Sequence, residues 1–438
     1  MTHTATPARV SSDLPTFDNA QAWYGPDMTG RKDWIHALTA DELADIDRAM
    51  RHAETAGSDI ADLGPEDFPL GAPMRALLGR VKTDVLHGRG FMLLRGIPVE
   101  RYTLRQSAIA YWGLGSHMGE AVSQNGKGHV LGHVTNLGLD YADPEVRGYQ
   151  TTARLNYHAD SSDIVALLCL RSGRSGGLSS IVSSTTLWNE LVRRRPDQAR
   201  TLLSPLYYTR WGEIPADRKP WAEIAPFTPW DGRMIATYVR SAIAKSQLMP
   251  QVPRLSAAQL EAMDHLDALA ADPALHLDMA FRPGDIQVLC NHSILHSRTA
   301  YEDWPEPERR RHLLRLWLAC EDGPALPPFM TADFQGSTAT GRPDGIRVPG
   351  VPLVAPLEPL PRRSPLMNRR LLGAAVTAVA ALFSVSAPAQ TYPSKPIRVV
   401  VPYPVGGAVD IMTRLVTAHM QQTLGQPEVE GKAPTRMS

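Results

Sequence analysis

The stretch that decides the fold is Asn291–Leu318, NHSILHSRTAYEDWPEPERRRHLLRLWL. It joins histidines in an apolar segment to a turn region and a final apolar run that contains two arginines. Side chains alternate between the two faces of a strand, so Arg311 and Arg315 share one face. A buried guanidinium on such a face needs an anion to neutralise it, which is either a ligand or a neighbouring carboxylate. Three nearby carboxylates are the alternative partners: Glu302, Asp303 and Glu306.

A second stretch, Leu155–Leu170, LNYHADSSDIVALLCL, carries a candidate metal-binding pair. His158 and Asp160 are two residues apart, so an extended backbone points both side chains to the same side. An H-x-D pair followed far downstream by a histidine in a strand-rich region fits the two-His-one-carboxylate ligation of Fe(II). The tripeptide alone is a weak signal because it arises often by chance. The distant histidine and the arginine-bearing strand give it weight.

Six segments, in this order, resemble the taurine catabolism dioxygenase (TauD/TfdA) family of Fe(II)/2-oxoglutarate-dependent oxygenases. They are GRGFMLLRGIP (88–98), GLGSHMGEAVSQNGKG (113–128), NYHAD (156–160), GGLSSIVSS (176–184), RPGDIQVLCNHSILHSRTAYED (282–303) and RRRHLLRLWL (309–318). The resemblance spans about residues 80–330 and implies a double-stranded β-helix, the jelly roll. Many short strands between turns, with helices confined to two stretches, agree with an α+β, mainly β fold with flanking helices.

The resemblance implies that His158, Asp160 and His296 bind the iron, with no catalytic residue beyond the metal ligands. His292 is the alternative third ligand, since it lies four residues away and shares a strand face with His296. The segment LHSRTAYED matches the family's ligand segment and favours His296. Two other functions remain open for the same ligands. One is a zinc-dependent hydrolase, although the helical H-E-x-x-H is absent; the other is a non-catalytic jelly-roll binding protein.

The resemblance also implies a site for 2-oxoglutarate. Arg311 takes the distal carboxylate, for which a guanidinium fork suits better than an ammonium group, with Ser179 as hydroxyl partner. Arg315 then meets the anionic group of the substrate, and the two arginines are interchangeable in this assignment. Gln124 and Asn125 lie in a region that borders the substrate pocket in the family; the alternative for each is a surface loop.

The expected reaction consumes O2 and 2-oxoglutarate, releases succinate and CO2, and oxidises a C–H bond of a small organic anion, most simply by hydroxylation. The sequence does not identify the substrate. Forty-five Lys plus Arg balance 45 Asp plus Glu, so no overall basic field predicts a nucleic-acid partner. A homo-oligomer is compatible with the sequence.

Three cysteines without C-x-x-C spacing argue against a disulfide framework or a zinc cluster. Their number and spacing are typical of a reducing cytosol, so a cytoplasmic location is expected. The N-terminal residues have no apolar run and do not resemble a signal peptide.

The sequence predicts four regions: an N-terminal arm (1–38), the dioxygenase domain (39–330), a Pro-rich linker (331–365) and a tail (366–438). The domain is expected to have no membrane contact. The tail combines a signal-peptide-like segment with a short fragment that resembles the N-terminus of the periplasmic Bug/TctC receptors. An accidental fusion of reading frames explains it best. The alternative is a membrane anchor, for which the apolar run Leu371–Val385 is short.

Overall fold

The computed structural model describes residues 14–141, 146–213, 218–334 and 336–359. The predictions for the tail (366–438) lie outside these residues. The helices of the described part are α1 (Gly25–Gly30), α2 (Ala40–Ala56), α3 (Ala72–His87), α4 (Leu104–Ser116), α5 (Ser184–Arg194), α6 (Pro196–Leu202), α7 (Arg240–Ser246) and α8 (Ala257–Ala270). Short helical turns occupy Ile60–Asp62, Gly148–Gln150, Pro307–Arg309 and Met330–Phe334.

The strands follow the same order along the chain. They are β1 (Ile35–Ala37), β2 (Phe91–Arg95), β3 (Glu120–Ala121), β4 (Leu131–Thr135), β5 (Leu155–His158), β6 (Ile164–Arg171), β7 (Ser175–Gly176), β8 (Ser179–Ser183), β9 (Leu206–Thr209), β10 (Trp221–Ile224), β11 (Phe227–Trp230), β12 (Arg233–Ala236), β13 (Leu277–Met279), β14 (Asp285–Cys290), β15 (Ile294–Arg298), β16 (Tyr301–Glu302) and β17 (His312–Ala319).

Two main sheets form the domain. The larger sheet has the strand order β1-β2-β14-β6-β17-β3, with β4 also paired to β17. Its neighbours run antiparallel except for the parallel pair β1 and β2. The smaller sheet has the order β13-β8-β15-β5. Sequence neighbours are thus distributed between the two sheets, which is the crossing connectivity of a jelly roll.

The two sheets face each other across a shared apolar core. Phe91 and Leu289 of the larger sheet belong to the same buried cluster as Ile181 and Ile294 of the smaller sheet. Trp317 of β17 joins this cluster from the inner face of the larger sheet. The sheet-on-sheet arrangement confirms the predicted double-stranded β-helix.

Helices cover the outer faces of both sheets. Leu314, Leu316 and Leu318 of β17 pack in one cluster with α2, α3 and α4, so the alternation predicted for this strand is confirmed. A second cluster joins α5 to α8 with the outer face of the smaller sheet. The helices α2 and α8 begin at capping boxes formed by Thr39 and Ser256, whose side chains accept backbone N–H groups of the first turn.

The folded domain extends beyond the predicted limits of 39 and 330. On the N-terminal side, Trp23 and Trp34 lie in the core between the sheets and β1 pairs with β2. Residues 14–38 of the predicted arm therefore belong to the domain, because Trp23 and Trp34 bury large apolar rings there.

The predicted linker is also corrected over residues 336–354, here called the C-terminal strap. Arg342 forms a buried ion pair with Asp163. The N–H of Ile346 donates to the Ser123 carbonyl at 2.8 Å, and the N–H of Val354 donates to the Gly128 carbonyl at 2.9 Å. The sequence predicts an extended linker here, but the extended backbone of this segment pairs with the domain in a strand-like manner. Within the described ranges, no helix combines the length and apolar character needed to cross a membrane.

Candidate metal centre and co-substrate cavity

Strand pairing brings the three predicted metal ligands together. His296 on β15 is the direct partner of His158 at the end of β5, and Asp160 follows two residues later. The ligand atoms of these three residues lie within 4.8 Å of one another. Nε2 of each histidine is 3.8 Å from an oxygen of Asp160. These gaps are too long for hydrogen bonds but short enough for one ion to bind all three side chains.

The histidines present lone pairs to this centre. Nδ1 of His158 lies 2.8 Å from the Asn156 carbonyl and donates to it, which leaves Nε2 as the free acceptor. Burial lowers the pKa of His296 to about 3, so its ring is neutral at neutral pH. Two imidazoles and one carboxylate are the donor set of non-haem Fe(II) oxygenases.

Asp160 is held by two donors from β17. Its Oδ2 accepts the indole N–H of Trp317 at 2.8 Å and lies 3.3 Å from Nη1 of Arg315. Burial raises the pKa of Asp160, but Arg315, the two ring neighbours and the indole together hold it below its usual value. The Asp160 backbone N–H also donates to Asn291 at 3.1 Å. The carboxylate is therefore ionised and fixed in orientation.

His292, the alternative ligand, lies outside the triad. Its Nε2 is 2.7 Å from Oδ1 of Asp163, a fully buried carboxylate that also pairs with Arg342. With its ring nitrogen engaged there, His292 is a structural residue, and the geometry favours His296 as the third ligand.

A cavity of about 470 Å³ opens beside the triad, and Ser179, Arg311 and Arg315 are among its lining residues. Arg311 forms no ion pair in the described part of the chain, and its Nη1 has no hydrogen-bond partner. Asp303 accepts the backbone N–H of Arg311 at 2.8 Å and does not pair with its guanidinium. Of the two alternatives drawn from the sequence, the structure thus favours a ligand as the missing anion.

The remaining predicted site residues divide into two groups. Ser179 lines the cavity and donates to Gln287 at 3.1 Å. Gln124 and Asn125 do not border the cavity, which corrects their assignment to the substrate. Gln124 is buried behind Arg315 and accepts its Nε–H at 2.7 Å, while Asn125 accepts the backbone N–H of Lys127 within a turn.

Sequence reasoning missed three parts of the site. Arg298 and Trp317 line the cavity, and each shares a strand face with a residue already singled out, so the alternation of side chains could have found them. Gly345, Ile346 and Arg347 of the C-terminal strap also line the cavity. No signal in a Pro-rich segment points to that placement.

Comparisons with known proteins agree with this geometry. The model of the taurine catabolism dioxygenase TauD, TfdA family matches residues 55–317. FR-33289 synthase of Streptomyces rubellomurinus is 28% identical over 330 residues, which cover 73% of this chain and 95% of that protein. Taurine hydroxylase-like protein SAT17 of Stachybotrys chartarum is 31% identical over 337 residues, covering 72% and 83%.

An asparagine oxygenase solved with Fe(II), 3-hydroxyasparagine and succinate has the same fold, with a TM-score of 0.50 at 17% identity over 65% of this chain and 93% of that chain. Protein BugT of Bordetella pertussis is 42% identical over 65 residues, which cover 14% of this chain and 20% of that protein. The family match extends over more than half of the chain and includes all three residues of the triad. The chain therefore belongs to the TauD/TfdA family and is an Fe(II)/2-oxoglutarate-dependent dioxygenase.

Proposed function

We propose that this dioxygenase hydroxylates a C–H bond of a small organic anion. The observation that carries the proposal is the placement of two arginines on one inward face, with Arg315 within β17 and Arg311 directly before its first residue. Arg315 lies beside the triad, and Arg311 lies four residues away, about 13 Å along the strand. One guanidinium serves the distal carboxylate of 2-oxoglutarate, and the other is left for an anionic group of the substrate.

His158, Asp160 and His296 would hold the iron on one side and leave its other positions open to the cavity. With iron, 2-oxoglutarate and O2 bound, the chemistry supplied is oxidative decarboxylation to succinate and CO2, with the second oxygen atom inserted into a substrate C–H bond. Trp317 and Arg315 keep the Asp160 carboxylate ionised and oriented. The protein's further task is to hold the reacting carbon close to the metal and to exclude water.

Arg315 supports an anionic substrate more specifically than overall charge does. Its side chain is 9% exposed and lines the cavity, so water screens its charge little and its attraction for an anion in the cavity is strong. Asp160 compensates part of that charge at 3.3 Å, but the same carboxylate is expected to bind the iron. Once Asp160 is engaged by the metal, Arg315 attracts an anionic group on a molecule placed next to the triad.

Two relatives have names that support hydroxylation: a taurine hydroxylase-like protein and an asparagine oxygenase in complex with 3-hydroxyasparagine. Those names describe the other proteins. For this chain they support the type of reaction and leave the substrate to experiment.

The experiment is a screen of small organic anions with the purified protein, Fe(II), 2-oxoglutarate and O2. The panel contains sulfonates, phenoxy acids, alkyl sulfates and betaines, and succinate release is measured with and without each compound. We expect one class to stimulate succinate release and to gain one oxygen atom by mass. The Asp160→Ala variant serves as the control and should release no stimulated succinate. Stimulation by no compound of the panel, or only by compounds that lack an anionic group, would contradict the proposal.

A further inference from the structure

A third buried arginine lines the cavity together with Arg311 and Arg315. Arg298 follows the predicted ligand His296 by two residues on β15. Arg298 and Arg311 are each 4% exposed, and both line the cavity. Their guanidinium carbons lie 4.7 Å and 5.1 Å from the centre of the same Tyr301 ring. The two guanidinium groups therefore lie near the same aromatic ring.

Both guanidinium groups keep hydrogen-bond donors that nothing satisfies. Nη2 of Arg298 donates to the carbonyls of Thr151 and Ala153, but its Nε and Nη1 have no partner. Nη1 of Arg311 has none either. In the described residues no carboxylate lies within ion-pair distance of either group. Buried, unpaired N–H groups of a cation are costly, so their clustering in a cavity indicates a bound anion.

The local charge fits one carboxylate. Asp303 acts electrostatically on both arginines, and its Oδ2 is buried without a hydrogen-bond partner. Two guanidinium groups and this carboxylate leave one positive charge. A single additional carboxylate neutralises it, whereas a dianion would leave an excess of negative charge in a buried place.

The position of Arg298 relative to the triad indicates which ligand supplies this additional carboxylate. Arg298 is the direct cross-strand partner of Ser179, the residue predicted to bind the co-substrate. Two residues of extended strand separate it from His296, about 7 Å. The carbon chain of 2-oxoglutarate covers such a distance between a keto group on the metal and its distal carboxylate.

We propose that Arg298 shares the distal carboxylate of 2-oxoglutarate with Arg311, so that two guanidinium groups hold the co-substrate. The alternative is that Arg298 only fixes the loop at Thr151 and Ala153 through its Nη2. The proposal rests on the family's co-substrate and is independent of which anion the enzyme oxidises.

The test compares two 2-oxo acids that differ in the distal group. 2-Oxoglutarate and 2-oxobutyrate, which lacks the distal carboxylate, are titrated into the anaerobic Fe(II) protein, and the iron-to-2-oxo-acid absorption band reports binding without turnover. We expect Arg298→Met to weaken 2-oxoglutarate binding about tenfold or more and to leave 2-oxobutyrate binding unchanged. Equal weakening of both acids, or no change in either, would show that Arg298 acts only on the loop and would overturn the proposal.

Two further proteins sharpen the comparison. Arg171→Met is the matched control, since Arg171 donates to the Arg310 carbonyl at 3.1 Å and does not line the cavity; it should bind both acids as the wild type does. Arg298→Lys keeps the charge without the planar fork, and we expect a smaller loss confined to 2-oxoglutarate. If the Met variant does not fold, the Lys variant gives the answer: weaker binding of 2-oxoglutarate alone supports the proposal, and equal weakening of both acids or no change overturns it. Wild-type protein that binds both acids equally well would also overturn the proposal, whatever the outcome of the substrate screen.

Discussion

At the metal centre, the carboxylate that each histidine faces decides its role. Nε2 of His296 lies 3.8 Å from Asp160, which lines the cavity. Nε2 of His292 lies 2.7 Å from Asp163, which is buried in the protein interior. The sequence could not separate the two by periodicity, because residues four apart share a strand face. Residues 291–293 form a turn before β15, so His292 does not belong to the strand that carries His296. The two rings therefore lie in different environments.

The first prediction concerns these two histidines. Replacing His296 with Ala removes one of three ligand atoms, so the variant should lose bound iron and turnover. His292→Ala should keep both, because Arg342 still pairs with Asp163. Iron content after anaerobic loading and desalting measures the difference. Iron retained by the first variant and lost by the second would move the ligand assignment to His292.

A second prediction at this scale concerns Arg311. Arg311→Lys keeps a positive charge but loses the planar fork, so we expect 2-oxoglutarate to bind more weakly by about 1.5–3 kcal/mol. Anaerobic titration of the absorption band measures the affinity. An affinity equal to that of the wild type would reject the role of Arg311.

Among the elements, β17 shows how far the sequence determines the site. The alternation of side chains placed Arg315 of β17 and Arg311, directly before the strand, on one face, and this is the inner face because the outer leucines pack on the helices. The cross-strand partners of these residues could not be predicted, since pairing depends on register between distant segments. Gln124 illustrates this: its polar side chain was predicted to contact the substrate, but the structure places it against Arg315.

The outer face of β17 carries a buried histidine pair that predicts a dependence of stability on pH. Nε2 of His312 lies 2.7 Å from Nδ1 of His133 on β4, and Nε2 of His133 lies 2.8 Å from the Pro356 carbonyl. Arg171 approaches Nδ1 of His312 at 3.2 Å. Burial lowers the pKa of His312 to about 3 and also lowers the pKa of His133.

Between about pH 6.5 and the folded pKa of about 3, the unfolded chain binds protons at His312 that the folded chain does not bind. The free energy of unfolding should therefore fall as the pH falls through this window, and be fully restored above about pH 6.5. His312→Gln removes the titration, so its decline should be shallower by up to about 1.4 kcal/mol per pH unit. Urea unfolding at about pH 7 and about pH 5 tests this. Equal slopes for the wild type and the variant would contradict it, and the exposed His52→Gln serves as control.

For the whole molecule, the functional unit is longer than the family match. The match ends at residue 317, yet the C-terminal strap lines the cavity and is fastened by Arg342 to Asp163. The sequence predicted the central fold from motifs and alternation. It could not predict the strap, because a single buried ion pair between distant residues leaves no periodic pattern.

Two shortened chains test this organisation. A chain that ends at Pro365 keeps the strap, and we expect it to match the full chain in turnover and to be at least as soluble. A chain that ends at residue 330 leaves Asp163 without Arg342, and loss of one partner of a buried pair typically costs about 3–5 kcal/mol. Thermal unfolding and succinate release measure both. If the first chain is inactive, the tail is a working element; if the second is as stable as the first, the strap is dispensable.

We expect one cavity to hold one Fe(II) and one 2-oxoglutarate between the triad and the inner face of β17. Anaerobic titration of the purified wild-type protein tests it most directly, with absorption recorded as Fe(II) and 2-oxoglutarate are added in turn. We expect a visible band that appears only when both are present, saturates at one of each per chain, and is absent from Asp160→Ala. A protein that binds iron without developing this band, or one whose Asp160→Ala variant develops it unchanged, would show that the cavity does not hold the two together.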